Sequence, residues 1–187
     1  VTMERGKNGE LKVSFPSIPG KVPLAILLRA LGLITDRQII NALPEDSDIR
    51  TKFIPTLEEA APIYVPRDEQ KTLENALDYL GKRVAIGQTR EYRIKRAEQV
   101  IDKYLLPHIG TSKEHRIKKA YYLLQMAQRL IELFLKRRSP DDKDHYANKR
   151  LKLAGELLSS LFRVAFLNLC RDIKYQIERT AVRGRKP

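Results

Sequence analysis

The chain has 187 residues, 42% hydrophobic and 32% charged, which excludes a disordered tail and allows one sizeable core plus a small appendage. Lys and Arg number 36 against 23 Asp and Glu, a net charge of +13, and such an excess suits phosphate neutralisation with counterion release, so nucleic acid is the first partner class. The bland alternative is solubility, or the surface ion networks of heat-adapted proteins, which do not by themselves need so large an imbalance.

The single cysteine, Cys170, lies in the apolar run LFRVAFLNLC and has no partner for an internal disulfide. It is expected as a buried core residue in a reducing, cytoplasmic compartment. No apolar stretch approaches the roughly 20 residues of a membrane span, and the first residues lack a signal-peptide layout, so a soluble, unsecreted chain is expected.

In chain order, Leu11, Val13 and Phe15 alternate with polar residues before Pro16 and Pro19, which predicts a short strand whose partner lies outside the chain. A strand opening a helical domain implies a piece of a longer polypeptide. PLAILLRALGLITDRQIINAL predicts two short helices, with Gly32 as a left-handed cap and Thr35 and Gln38 as a capping box. On paper the pair resembles a helix-turn-helix, but only Arg37, Gln38 and Asn41 are offered to bases, and a core hairpin explains it more simply.

From Pro44 to Pro66 the text turns acidic and proline-punctuated, with Glu45, Asp46, Asp48, Glu58 and Glu59, and reads as loop carrying one short helix. A helix follows from Asp68 to Lys82, its face set by Leu73, Ala76, Leu77 and Leu80, with Gly81 near its end. After Gly87 a further helix runs to Leu106 with Tyr92, Ala97, Val100 and Tyr104 on its stripe. Arg90, Arg93, Lys95 and Arg96 crowd its first half, where they oppose the helix dipole. Helix stability does not explain them, and a phosphate-facing role competes with a solvated face.

Thr111 and Glu114 predict a capping box opening the core helix HRIKKAYYLLQMAQRLIELFLKRR. Its face is Ile117, Ala120, Tyr121, Leu124, Ala127, Ile131 and Phe134, widened by Leu123, Leu130 and Leu133. Lys136, Arg137 and Arg138 suit its negative end. A final helix from Ala154 to Thr180 carries Leu158, Phe162, Ala165, Leu169, Ile173 and Ile177 at helical spacing. Arg183, Arg185 and Lys186 then read as a basic arm.

Asp141, Asp142, Asp144 and His145 form the one cluster where a metal or an acid/base pair can be imagined. Such sites gather ligands from several segments, however, and His108 and His115 come without carboxylates at a useful spacing. No phosphate-cradling glycine loop, zinc spacing, nucleophile elbow or base-stacking platform is present in the text. The run from Ser139 to Arg150 is therefore read as an ordered turn: Ser139, Asp141 and Asp142 cap backbone amides, and Asn148, Lys149 and Arg150 return donors.

The run DDKDHYANKRLKLAGELL resembles the signature of the second-largest subunit of multisubunit DNA-directed RNA polymerases. KVPLAILLRALGLITDRQI, ALDYLGKRVAIG, KYLLPHIG and RIKKAYYLLQMAQRLIEL agree in order, so the likeness covers nearly the whole chain, in wording nearest the archaeal form. The resemblance implies a mainly α fold: a helical lobe domain over 1–145 with a short N-terminal strand, then a signature turn and long C-terminal helix over 146–187 returning toward the adjoining protrusion. It also implies a non-catalytic wall of the DNA cleft that contacts downstream duplex or non-template strand, docks transcription factors and packs on the other polymerase subunits. The nucleotidyltransferase magnesium would be bound elsewhere, with no cofactor here. Candidate DNA contacts are Arg90, Arg93, Lys95, Arg96, Lys149 and Arg150, and structural turn residues are Ser139, Asp141, Asp142, Asp144, His145 and Asn148. Many relatives carry glycine where this chain has Ala147, and a positive φ there would strain alanine. The competing readings are a free-standing helix-turn-helix regulator, a metal-dependent nuclease using Asp141, Asp144 and His145, and a platform whose positive surface meets acidic proteins.

Overall fold

The computed structural model describes residues 1–182, so the basic arm read in Arg183, Arg185 and Lys186 lies outside the described residues. The fold is mainly α, with a small sheet at its start and a long helix at its end. Contacts divide it into two compact units, one of residues 1–140 and one from Asp141 onward.

The predicted strand is β2 (Leu11–Ser14), with Leu11 and Val13 buried. Its partners are inside the chain, which corrects the expectation of an outside strand. On one side β1 (Thr2–Arg5) pairs antiparallel, from Arg5 opposite Leu11 to Thr2 opposite Ser14, and on the other β3 (Val22–Pro23) sets Val22 opposite Val13. The missed signal was Asn8-Gly9, a hairpin dipeptide in which Gly9 supplies a φ of 96°. The Gly6 amide donates to the Glu10 carbonyl at 2.7 Å, and the Asn8 amide donates to the Glu10 carboxylate at 3.0 Å, closing the turn.

Helix α1 (Leu24–Ala30) is buried at all seven positions, as its near-continuous apolar text demands. Gly32, at φ 109°, turns the chain into α2 (Asp36–Asn41). The predicted capping box forms there: the Gln38 amide donates to the Thr35 hydroxyl at 3.2 Å, and the Thr35 amide donates to the Gln38 side chain at 3.0 Å. The segment from Pro44, read as loop carrying one short helix, contains the longer helix α3 (Ser47–Glu59), 13 residues with Pro55 inside. An interior proline costs a helix about 3 kcal/mol. Burial of Ile49, Phe53 and Leu57 at helical spacing offsets it, as does Thr56, whose hydroxyl accepts the Leu11 amide at 3.2 Å.

Helices α4 (Glu69–Val84) and α5 (Arg90–Tyr104) form the most closely packed pair. Gly81 lies near the end of α4 as expected, within its last turn, where a Cβ would stand 2.6 Å from the Arg93 carbonyl oxygen, so the glycine is the condition for close approach. On α5 the buried residues are Ala97, Val100 and Ile101, while Tyr92 and Tyr104 are exposed and leave the predicted stripe. The core helix is α6 (Arg116–Phe134), preceded by a 3-10 turn at Lys113–His115. The Thr111–Glu114 capping box does not form. The Ser112 hydroxyl bonds His115 Nδ1 at 2.6 Å instead, and Arg116 at the first position of α6 meets Asp102 and Glu98 of α5. Tertiary ion pairing, not local capping, sets where this helix begins. Ala120, Leu123, Leu124, Ala127 and Ile131 are buried as predicted, but Ile117, Tyr121, Leu133 and Phe134 are exposed.

The second unit contains α7 (Ala154–Val182), 29 residues none of which is buried. Its helical-period apolar residues Leu158, Phe162, Leu169, Ile173 and Ile177 are all exposed, and so is Cys170, which corrects the expectation of a core cysteine. No helix among the described residues is long and apolar enough to cross a membrane.

Two cations are fully buried in the first unit, and each meets the carbonyl end of a helix. Arg29 of α1 donates to the Ala60 carbonyl, the C-cap of α3, at 2.9 Å and to Asp36 at 2.6 Å, with its guanidinium 4.7 Å over the Tyr64 ring. Lys119 of α6 donates to the Ile101 and Asp102 carbonyls at 3.1 and 2.9 Å, satisfying oxygens that the last turn of α5 leaves open. Burial pushes the Lys119 ammonium below its ordinary pKa. At the far end of α6, Arg137 reaches Asp46, the N-cap of α3, at 2.5 Å and also bonds Asp48.

Asp46 gives this staple a pH signature. Desolvation pushes its carboxyl up, but the Asp48 and Ile49 amides and Arg137 outweigh that and hold it below its ordinary 3.8. A depressed folded-state pKa adds stability that is present above the unfolded value and is lost as pH falls through the folded one. Asp46→Asn keeps the cap and removes the titration. The wild-type minus variant difference in urea midpoint is therefore expected to shrink as pH is lowered from 5 through about 3. Parallel pH profiles for the two proteins would contradict it.

Candidate nucleic-acid interface

The basic cluster predicted on α5 does not act as one patch, because the helix turns its members to different sides. Arg93 faces α4: its Nε donates to Asp78 at 2.8 Å, a second guanidinium nitrogen lies 2.8 Å from the same carboxylate, and the third donates to the Gln88 carbonyl at 3.0 Å. The pair is largely shielded, with the Arg93 and Asp78 side chains 21% and 12% exposed. Arg90 also leans onto α4, donating to Asn75 at 3.2 Å and standing 3.6 Å from Glu74. Interhelical packing thus accounts for two cations that the helix dipole alone disfavours.

Lys95 and Arg96 point to solvent. One guanidinium nitrogen of Arg96 donates to Gln99, three residues on, at 3.2 Å. Lys103, which the sequence did not single out, is exposed two turns beyond Arg96 on the same side of α5. Nothing in the sequence separates these from Arg93, since only α4 decides which cations find a carboxylate.

The turn from Ser139 to Arg150 is wholly exposed. Asp142 organises it, with its carboxylate accepting the Asp144 amide at 2.9 Å and its carbonyl accepting the Asn148 side-chain amide at 2.6 Å. His145 Nδ1 accepts the Ala147 amide at 3.1 Å and opens a 3-10 turn at Tyr146–Asn148. Ala147 sits in that turn outside the positive-φ region, so alanine carries no backbone strain there. Lys149 lies 5.7 Å from the Tyr146 ring centroid, and Arg150 is exposed. Among the described residues no three His, Cys, Asp or Glu side chains come together to hold a metal ion. Asp141, Asp144 and His145 therefore do not form the ligand set that a metal-dependent nuclease needs.

The helix-turn-helix reading loses its reader. Helix α1 is buried throughout, α2 has six residues, and Gln38 spends its side-chain oxygen on the Ile34 and Thr35 amides. A recognition helix must project several side chains into a groove, and of the exposed Arg37, Gln38 and Asn41 on α2, Gln38 is committed to capping.

Comparison with known proteins agrees with the polymerase resemblance. The family model described as RNA polymerase Rpb2, domain 2, matches residues 1–152. The chain is 55% identical over its whole length to the DNA-directed RNA polymerase subunit Rpo2 of Saccharolobus solfataricus, covering 16% of that protein. It is 48% identical to subunit Rpo2N of Methanococcus vannielii and of Halobacterium salinarum, covering 36% and 35% of them. The chain thus spans between about a sixth and about a third of the relatives it matches.

The division of the α5 cations is open to measurement. Arg93→Ala removes both guanidinium contacts to Asp78 Oδ1, leaving that shielded carboxylate only Lys82 at 3.4 Å from its other oxygen, and is expected to destabilise the fold by about 1–3 kcal/mol in urea unfolding. Lys95→Ala is expected to stay within about 0.5 kcal/mol of wild type. Equal losses for the two variants would mean that Arg93 is no more structural than Lys95.

Proposed function

The chain belongs to the RNA polymerase Rpb2, domain 2, family, and on that premise we propose that it is a non-catalytic wall of the polymerase DNA cleft that also offers a docking surface to transcription factors. What carries the reading is the set of cations left over once structural pairing is subtracted. Lys95, Lys149 and Arg150 are exposed on the surface, whereas Arg93 is bound to Asp78, and Arg29 and Lys119 are buried at helix ends. Exposed ammonium and guanidinium groups on a helical scaffold suit sequence-independent phosphate contact. The chain needs no metal of its own for this role: the magnesium of nucleotidyl transfer belongs to another part of the assembly, and the catalytic step with it.

The exposed apolar side of α7 points to a further contact, one with the rest of the polymerase. A 29-residue amphipathic helix in water leaves too much apolar surface uncovered to be stable alone, and the relatives are several times longer than this chain. Its partner is the remainder of the same subunit, the adjoining protrusion, which makes the second unit a connector to the rest of the polymerase.

The assembled polymerase carrying Lys95→Ala, Lys149→Ala and Arg150→Ala tests the DNA contacts. The slope of log affinity against log salt is expected to fall by up to about 0.9 for each phosphate contact removed, with the rate of nucleotide addition on saturating template unchanged. An unchanged slope would remove these residues from the DNA path, and a collapsed addition rate would contradict a wall without catalytic duty.

A further inference from the structure

Tyr104, at the C-terminal end of α5, lines two adjoining depressions of the first unit. One carries two cations, its wall formed by Arg96, Gln99, Val100, Lys103 and Thr111. The other has a volume of about 400 Å³ and is walled by Leu106, Pro107, His108, Tyr122 and Met126, within the range of ligand clefts, about 300–1,000 Å³. Asp102 also lines the basic half, but both its oxygens accept from Arg116 at 2.7 Å, so the charge presented there is that of Arg96 and Lys103.

The backbone between the halves is strained. Leu106 has φ 45°, the left-handed region, although it is not glycine and precedes a proline, and its side chain is 5% exposed. Such a conformation costs of order 1–3 kcal/mol and persists only where packing over-determines it. Here it carries Pro107 and His108 to the rim, where His108 meets Tyr122 edge to face, centroids 5.8 Å apart at 78°.

We propose that this bipartite groove binds an acidic peptide segment in extended form, carboxylates on Arg96 and Lys103 and an apolar side chain in the half walled by Tyr104, Pro107, Tyr122 and Met126. The inference rests on the docking role proposed above and gives it a site and a partner chemistry. Charge complementarity selects the occupant: two exposed cations face a strip whose one carboxylate is already neutralised. Arg96 and Lys103 are seven residues apart on a helix, about 10 Å along its axis, a span that an extended chain covers in about three residues. The segment therefore carries two carboxylates about three positions apart and an apolar anchor beyond the one that meets Lys103. The apolar half suits a side chain better than a base. Its rings meet edge to face and not as parallel stacking surfaces, and its floor is aliphatic, with a methionine that adapts to different anchors.

The test uses the assembled polymerase and a fluorescent ten-residue peptide with two glutamates three positions apart followed by a phenylalanine. Saturable binding is expected, weakened about tenfold or more by Arg96→Glu with Lys103→Glu and by Tyr104→Ala, and retained by Tyr104→Phe. A peptide with lysines in place of the glutamates is expected to prefer the charge-reversed polymerase, a gain that misfolding cannot mimic. Absence of saturable binding, indifference to these substitutions, or displacement of the peptide by oligo(dT) with loss of oligo(dT) binding in the same variants would each overturn the proposal. The Lys95, Lys149 and Arg150 variants report on the DNA contacts separately, so a failure of the groove and a failure of the cleft-wall reading give different results.

Discussion

The first unit is organised around a guanidinium that has no access to water. Arg29 sits in the last turn of a helix buried on every side, and a charge there is tolerable only if it is met by oppositely polarised groups in a fixed arrangement. Three elements converge to provide them: the carbonyl end of α3 at Ala60, Asp36 in the first turn of α2, and the Tyr64 ring beyond α3. Apolar neighbours can slide by an ångström at little cost, but a buried ion cannot, since an unpaired one costs about 3–5 kcal/mol. The positions of α1, α2 and α3 are thereby tied to one another at a single atom group.

Lys119 repeats the arrangement at the other end of the unit. A cation on α6 satisfies the open carbonyls of α5, and Arg116, one helical turn earlier, is held by Asp102 and Glu98 with its pKa raised mainly by Asp102. Together with Arg93 on Asp78 and Arg137 on Asp46, these contacts give several of the cations an internal purpose. The count of 36 Lys and Arg thus overstates the cations offered to a partner, although each ion pair leaves the net charge of +13 unchanged. What faces outward is a smaller set on a stiff frame, and stiffness matters because contacts made by preorganised groups lose less entropy on binding.

The second unit follows a different logic. Its turn is ordered by Asp142, His145 and Asn148 bonding to backbone groups within the turn, while α7 has helical periodicity without a buried face. Amphipathicity announces that a helix has a partner and not where that partner is. The chain spans 16% to 37% of the relatives it matches, and the rest of such a polypeptide is the partner proposed for α7.

Much of this was legible in the sequence. Periodicity located the helices from α4 onward, the Thr35–Gln38 box and Gly32 located the turn before α2, and the signature run identified the family, because these signals are local and survive without tertiary contacts. Local signals failed where distant groups intervened. Helix α3 holds Pro55 because Phe53 and Leu57 are buried by other elements, α6 starts at Arg116 because Asp102 and Glu98 wait there, and the outside strand proved to be the chain's own first residues. The candidate interface divides the same way. Sequence alone determined that α5 is crowded with cations, and only the approach of α4, made possible by the missing side chain of Gly81, decided that Arg93 is an internal strut while Lys95, Arg96 and Lys103 face the solvent. The reason is physical: charge is written in the residue, but whether it is spent inside the protein depends on which carboxylate folding brings within about 3 Å of it.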